Sequence, residues 1–427
     1  MANGIKPIKK EERNLAGIDF LLLWSGAAIS LAEILAGGIL VPLGLVGGIL
    51  AILAGHILGN TPLALAGVIG SEQGIPSMVS VRPSFGNRGS YLPAFLNVVQ
   101  LLGWTAIMLI MGARSAEIIS QKLWGYSNFK LWVILLGIIT TLWAFFGHNT
   151  WKWLHRISVS ALLLLSVVMT YVIFQEHSFA ELAQIPSTSE LSLATGLDLV
   201  IAMPISWLSL VADYSRFAKS TCSSFWGTWL GYFVVSSWMY FIGLSAALAT
   251  GSADPISLLL NLGWGIAALV IVLFSTFTTT FLDIYSTAVS ALNIFPQLEE
   301  RRGIIIGGVL GTLVALIFPI EQYENFLLFI GAMFCPLFGV VLVDYFILRQ
   351  RKYLVEDIYK KGKYWYYQGV NIRAIISWVI GVVLYQQGIK YGLWIGSSIP
   401  SMVIAGSLYG VLMKIRKEVK NEEKNKF

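Results

Sequence analysis

The stretch SGAAISLAEILAGGILVP, Ser25 to Pro42, decides how this chain is read. It is apolar and long enough to enter a bilayer, yet it carries a carboxylate, Glu33. A charged side chain at the centre of a membrane helix costs about 2.5 to 3.5 kcal/mol even on the mildest insertion scale. An acid kept in such a place is a functional hypothesis by default.

The rest of the composition agrees with a membrane setting. Of 427 residues 56% are hydrophobic and only 12% are charged, against about 25% charged in an average globular protein. The basic start MANGIKPIKKEERN leads into an apolar run too long for the core of a cleavable signal, so the first span is expected to insert uncleaved. Cys222 and Cys335 are the only cysteines, one expected in a loop and one in a span, and no disulfide is expected.

With about 20 apolar residues per crossing, the sequence predicts twelve spans within 18–43, 46–70, 93–118, 130–147, 157–175, 192–212, 225–250, 264–293, 304–319, 323–348, 372–390 and 393–413. The basic residues then fix an orientation, because Lys and Arg collect on the cytoplasmic side. With the N-terminus inside, 25 of the 29 fall in inner segments, leaving Arg114, Lys122, Lys130 and Lys390 outside. The reading is a multi-pass protein of the plasma (inner) membrane with both termini cytoplasmic. The net charge of +6 then describes orientation and contact with the lipid bilayer, and no nucleic acid is implied.

Two spans read as interrupted. The first passes through ISLAEILAGG, and the sixth through AMPISWLSLVADY, where Pro204 removes a backbone donor and disfavours helix at Met203. Five spans separate them, as in two inverted repeats that each open with a discontinuous helix at a midplane site. The corresponding division is a tail over 1–17, repeats over 18–190 and 191–349, a cytoplasmic loop over 350–371, two accessory spans over 372–416 and a tail over 417–427.

Signals for an enzyme are thin. His56, His148, His155 and His177 form no pair at helical spacing on a span, so no metal centre is read from them. The densest polar cluster is STFTTTFLDIYSTA in the eighth span. Ser275, Thr278, Thr279, Leu282 and Asp283 follow steps of three and four, so hydroxyls and a carboxylate share a face. Such hydroxyls often bond only to their own helix, but three threonines followed by an acid point to a hard cation or a polar substrate. In the third span Trp104 follows Gln100 by four residues, and in the sixth Trp207 lies just beyond Pro204. A pair of mid-span indoles can hold a flat ring between them.

Three motifs, in order, carry a resemblance over about Asp19 to Lys417: VRPSFGNRGSYLPAFLNVVQLLGW from Val81 to Trp104, ADYSRF from Ala212 to Phe217, and VVLVDYFILRQRKY from Val340 to Tyr353. They resemble the nucleobase:cation symporter-1 family of cytosine, purine, allantoin and hydantoin permeases. The resemblance implies an all-α, LeuT-like fold of ten core helices in a 5+5 inverted repeat plus two C-terminal helices, working by alternating access. It implies no cofactor, and sodium as coupling ion with the proton as alternative. The cation would be held by carbonyls of Gly26, Ile29 and Ser275 and the hydroxyls of Thr278 and Thr279. The heterocycle would lie near Trp104 and Gln100 and the stretch of Met203, Ser206 and Trp207, with Thr280 and Asp283 beside it. Glu33 is expected to border the same cavity.

The chain departs from the cytosine permeases of the family in two places. They look amide-rich after the paired threonines, where this chain continues Thr280, Phe281, Leu282, Asp283, and they lack an acid where Glu33 stands. The branch that it most resembles is the one assigned to hydroxymethylpyrimidine, the thiamine precursor. Other readings are a cytosine, purine or allantoin permease, a membrane enzyme acting on lipid, and a sensor that binds without flux.

The orientation is open to a direct check. In a variant lacking Cys222 and Cys335, a single cysteine placed between Glu176 and Glu190 should react with an impermeant thiol reagent from outside, and one between Lys352 and Lys363 only from inside. The reverse pattern would overturn the assignment of spans.

Overall fold

The computed structural model describes residues 4–146, 152–252 and 265–424. Among them the chain is helical apart from two isolated bridges, Leu15 with Ala218 and Tyr367 with Val370. Eight described helices are long and apolar enough to cross a bilayer, and they fall at the second, third, fourth, fifth, seventh, tenth, eleventh and twelfth predicted spans. A ninth crossing is made if the bent pair Gly17–Ala28 and Leu31–Ile39 is counted as one span. Helices also stand at the remaining predicted positions: Leu193–Leu208 at the sixth, Gly265–Ile294 at the eighth and Glu300–Ala315 at the ninth. Large apolar side chains such as Leu50, Ile138, Leu164, Val234, Ile306 and Val403 are exposed on the outer faces, where lipid tails cover them without cost.

The helices pack in two groups. The first, second, sixth and seventh spans lie against one another, and the third and fourth lie against the eighth and ninth. The tenth joins the sixth to the eleventh and twelfth. The twelfth helix begins at Ser398, later than the predicted 393. Its start is set by Asp198 of the sixth span, whose carboxylate accepts the backbone N–H of Ser397 at 2.7 Å and of Ser398 at 2.8 Å. An acid at a helix N-terminus satisfies donors that have no intrahelical partner and complements the dipole.

Glycine sets the closest approach in the first group. A Cβ on Gly37 would lie 2.1 Å from the Tyr240 carbonyl oxygen, and one on Gly243 would lie 2.0 Å from that of Ile34. The second half of the first span and the seventh span therefore touch backbone to backbone, as small residues permit between membrane helices.

One expectation is corrected. The sixth span is not broken at Met203 and Pro204; its helix runs unbroken from Leu193 to Leu208, with Pro204 inside it. The ring is accommodated by Gly59 of the second span, where a Cβ would lie 2.4 Å from Pro204 Cγ. The interruption falls at Ser209 and Leu210, and helix resumes over Val211–Ser215.

Gly243→Ala should force the first and seventh spans apart and destabilise the protein by about 1 to 3 kcal/mol, the usual cost of overpacking. A lowered melting temperature in detergent is the expected reading; an unchanged one would show that the contact can yield freely.

Candidate functional site

The first span stops at Ala28 and restarts at Leu31, turning by 59°. Ile29 (φ −84°, ψ 93°) and Ser30 (φ −149°, ψ 158°) are extended. The Ser30 hydroxyl caps the second half by accepting the Glu33 N–H at 3.3 Å. The last carbonyls of the first half, including that of Gly26, lack intrahelical donors and sit at the negative end of a helix dipole. This half touches the eighth span. There Thr279 is buried and its hydroxyl has no hydrogen-bond partner among the described residues. Carbonyls at a helix end and a hydroxyl on a contacting helix are donor types suited to a hard cation. The side chains of Ser275 and Thr278 lie outside the described residues.

At the second interruption the third span supplies the missing partners. Gln100 Nε2 lies 2.9 Å from the Ser206 carbonyl, 2.6 Å from Ser209 Oγ and 2.8 Å from Asn97 Oδ1, three acceptors that share its two hydrogens. Asn97 Nδ2 donates to the Ser209 carbonyl at 3.2 Å and to Ser290 Oγ of the eighth span at 2.7 Å. Gln100 is thus a clasp that holds the broken sixth helix to the third, with its Oε1 left without a partner among the described residues. Trp104 stands one turn beyond this clasp and Trp207 one residue from Ser206. Each retains 8% exposure, in contrast to the fully buried Gln100 beside them. Trp104 meets Tyr323 and Phe326 of the tenth span edge-on at 6.1 and 5.3 Å between centroids. Trp207 meets Trp24 edge-on at 5.7 Å.

Several sequence candidates are spent within their own helices. The Ser206 hydroxyl donates to the Met203 carbonyl at 2.6 Å, and Thr280 Oγ1 donates to the Thr276 carbonyl at 2.6 Å. Met203 is buried in the apolar core. Asp283 differs: it is 2% exposed and its carboxyl makes no hydrogen bond or ion pair among the described residues.

Glu33 is buried and held by hydroxyls of a facing helix. Tyr232 donates to its Oε1 at 2.6 Å and Ser236 to its Oε2 at 2.8 Å, both from the seventh span. Trp207 Nε1 donates to the Tyr232 hydroxyl at 2.8 Å, so Glu33 meets the indole through one intermediary. His56 of the second span joins the same cluster, 2.5 Å from Ser236 Oγ. Tyr232, Ser236 and His56 are the residues that sequence reading missed; the available signal was a histidine with an asparagine four residues on, in the middle of an apolar span.

The three motifs seal one end of the bundle. Arg82 donates to Asn293 Oδ1 at 2.8 Å at the end of the eighth span. Asp213 accepts the Ser77 N–H at 2.9 Å while Ser77 Oγ accepts the Ala212 N–H at 2.9 Å, which fixes the short second half of the sixth span. Asp344 accepts from Tyr409 at 2.9 Å and Tyr353 at 3.0 Å. The N-terminal segment is laced across this end, with Ile8 N–H on the Gly74 carbonyl and Arg216 on that of Gly4, at 2.8 and 2.9 Å.

Two interrupted helices facing a buried polar interior inside a multi-pass bundle define a membrane transporter rather than an enzyme. A family model for permeases of cytosine and purines, uracil, thiamine and allantoin matches residues 7–410. The chain belongs to that family, the nucleobase:cation symporter-1 permeases. It is 24% identical over 406 residues to the hydantoin permease of Microbacterium maritypicum, across 88% of this chain and 82% of that protein. A solved nucleobase-cation-symport-1 transporter, closed with bromovinylhydantoin bound, has a TM-score of 0.89 at 22% identity over 98% of this chain and 96% of its own. A Na+-coupled sialic acid symporter, substrate-bound and outward-open, has a TM-score of 0.67 at 13% identity over 94% and 91%. At these identities the two structures show the shared LeuT-like fold.

Proposed function

We propose that this permease is a cation-coupled symporter that imports a flat heterocycle of the pyrimidine or nucleobase type, preferably hydroxymethylpyrimidine. The alternative is a cytosine, purine or allantoin permease. The observation that carries the reading is the clasp of Gln100 on Ser206 and Ser209, which ties the stretch next to Trp207 to the third span one turn from Trp104. A ring that stacks on Trp104, with Trp207 as a second face, suits that arrangement. Asp283 supports an aminopyrimidine in particular, because a buried carboxylate without a partner among the described residues can accept from an exocyclic amino group or a protonated ring nitrogen.

Sodium is the coupling ion in this reading, held by the carbonyls of Gly26, Ile29 and Ser275 and the hydroxyls of Thr278 and Thr279. The Thr279 hydroxyl, buried without a hydrogen-bond partner among the described residues on a span that the first helix touches, supports it. The two packing groups take equivalent spans from 18–190 and 191–349, namely one, two, six and seven against three, four, eight and nine. That supports inverted repeats moving as two bodies for alternating access. The orientation is with both termini cytoplasmic in the plasma (inner) membrane, supported by the basic residues gathered at the end sealed by the N-terminal segment.

A competition screen of labelled and unlabelled heterocycles against uptake, with and without sodium, tests the reading as a whole. Base stacking on an aromatic ring is worth about 1 to 3 kcal/mol by alanine substitution, so Trp104→Ala should weaken substrate binding by about one to two decades, while Trp104→Phe retains much of it. Unchanged affinity in a folded Trp104→Ala protein would assign that ring to packing. Replacing Thr278 and Thr279 together by Val keeps volume and removes the hydroxyls. Sodium stimulation of uptake should vanish while weak, ion-independent binding survives; persistence of the stimulation would remove these residues from the cation site.

A further inference from the structure

The proposed substrate and sodium sites leave unused a polar seam between the second and seventh spans, and its hydrogen count is informative. Glu33 Oε2 lies 2.8 Å from Ser236 Oγ, and the same Ser236 oxygen lies 2.5 Å from His56 Nε2. His56 Nδ1 is 2.8 Å from the Ile52 carbonyl. A carbonyl only accepts, so Nδ1 carries hydrogen, and a neutral His56 presents a bare Nε2 to the serine. Ser236 has one hydrogen for two contacts. If that hydrogen points to His56, the contact with Glu33 requires a proton on the carboxyl. If it points to Glu33, the contact with His56 requires a second proton on the ring. Both contacts are hydrogen bonds only when the cluster holds one proton more than an ionised carboxylate and a neutral imidazole supply.

Tyr232 sets the direction of the chain. Its hydroxyl accepts the Trp207 N–H, so its own hydrogen goes to Glu33 Oε1. With a proton on Oε2, every hydrogen is placed from Trp207 through Tyr232, Glu33 and Ser236 to His56. The other titratable groups that face Glu33 are Tyr240 of the seventh span and Tyr323 of the tenth. Among the described residues no Lys, Arg or second carboxyl faces it.

The seam continues to the end of the bundle that carries the N-terminal segment. His56 pairs with Ser236, and Ser71 Oγ donates to Thr221 Oγ1 at 3.2 Å. The two pairs lie fifteen residues apart on each helix, 56 to 71 and 236 to 221, so the helices run antiparallel in register. Asn60, one turn from His56, then falls opposite Tyr232, and Thr228 and Ser224 follow on that face of the seventh span. Both polar atoms of Asn60 and the hydroxyls of Thr228 and Ser224 are buried without hydrogen-bond partners among the described residues. Buried polar groups left unmet by protein are where bridging water is held.

We propose that Glu33, with Ser236 and His56, is a proton-binding site of this transporter, reached along the seam of Asn60, Thr228 and Ser224 from the Ser71 and Thr221 end. The step is a proton transfer only: an O–H bond forms at Glu33 Oε2 as one breaks in the adjoining donor, and each donor along the seam is refilled from solvent. Substrate pressed on Trp207 shifts its bond to Tyr232 and with it the donors that Glu33 receives. Binding of the ring and of the proton are linked in this way.

The proton site rests on the reading of the chain as a symporter, so it is tested first without substrate. Infrared difference spectra of the purified protein in lipid, recorded between acid and alkaline pH, should show a buried carboxyl that titrates reversibly. That band should be absent in Glu33→Gln and shifted but present in Glu33→Asp. Its survival in Glu33→Gln, or its absence from the wild type, overturns the site. In Asn60→Leu and the near-isosteric Thr228→Val, exchange of that carboxyl with deuterium should slow by about tenfold, the effect of losing one hydrogen bond along the way. Unchanged exchange in both overturns the route. A second arm uses proteoliposomes with equal sodium on both sides and labelled cytosine, allantoin or hydantoin. A pH gradient, acid outside, should accelerate accumulation in the wild type and in Glu33→Asp but not in Glu33→Gln; acceleration that persists in Glu33→Gln overturns the proposal. A wild type that moves none of these heterocycles counts against the transport reading, and the infrared result still decides the proton site.

Discussion

A helix that stops inside a membrane leaves carbonyl and N–H groups where water cannot reach them, and each one left unmet is costly in hydrocarbon. Among the described residues this chain makes such stops at Ile29 and Ser30 and at Ser209 and Leu210, and the interior is arranged around satisfying them. At the sixth span the partners are amides of the third: Gln100 and Asn97 take the carbonyls of Ser206 and Ser209. At the first span Ser30 caps the restart, and Tyr323 of the tenth donates to the Ala32 carbonyl at 3.0 Å. The first half also touches the eighth span, which carries the buried Thr279. The second break is met by fixed side chains, and in the proposed cation site the first would be met in part by a removable ion.

The acid in the first span follows from the same geometry. Once the helix restarts at Leu31, Glu33 is in its first turn, and glycines at 37 and 243 bring that helix into backbone contact with the seventh. At such a distance a glutamate reaches Tyr232 and Ser236 without strain, and the seventh span cannot offer lipid or water in their place. The carboxylate that seemed too costly for a membrane helix is therefore held by hydroxyls on a facing helix, which is the general way that a buried ionisable group is tolerated.

What was legible in the sequence was whatever repeats locally. Runs of apolar residues gave the helices, the isolated Glu33 marked the first break, and the acid and threonines of the eighth span marked a polar face. Contacts between distant helices were not legible. Tyr232 and Ser236 lie about 200 positions from Glu33 along the chain, and nothing in the period of either segment names the other. Pro204 misled because the helix continues through it despite the lost N–H, while Gly59 on the facing span leaves room for the ring. The three consecutive threonines likewise divide by side: Thr280 turns back on Thr276, while Thr279 keeps its hydroxyl unspent. Helical spacing assigned Thr278 and Thr279 to the polar face, but it could not show which hydroxyls their own helix would consume.

The places of the two proposed ion sites in the packing give them different powers. A sodium ion held between the first and eighth spans sits on the boundary of the two helix groups, so its binding energy differs directly between arrangements in which that boundary is closed or open, and a ligand shifts an equilibrium only through such a difference. A proton on Glu33 lies wholly within one group, between the first, second and seventh spans. It cannot pull the groups together. What it can change is the internal alignment of that group, and the element most exposed to the change is Trp207, one hydroxyl away. Sodium would then govern whether the cavity closes and the proton would govern how well the closed cavity fits its ring. The physical basis for that division is that only the first ion would bridge the two helix groups proposed to move relative to each other.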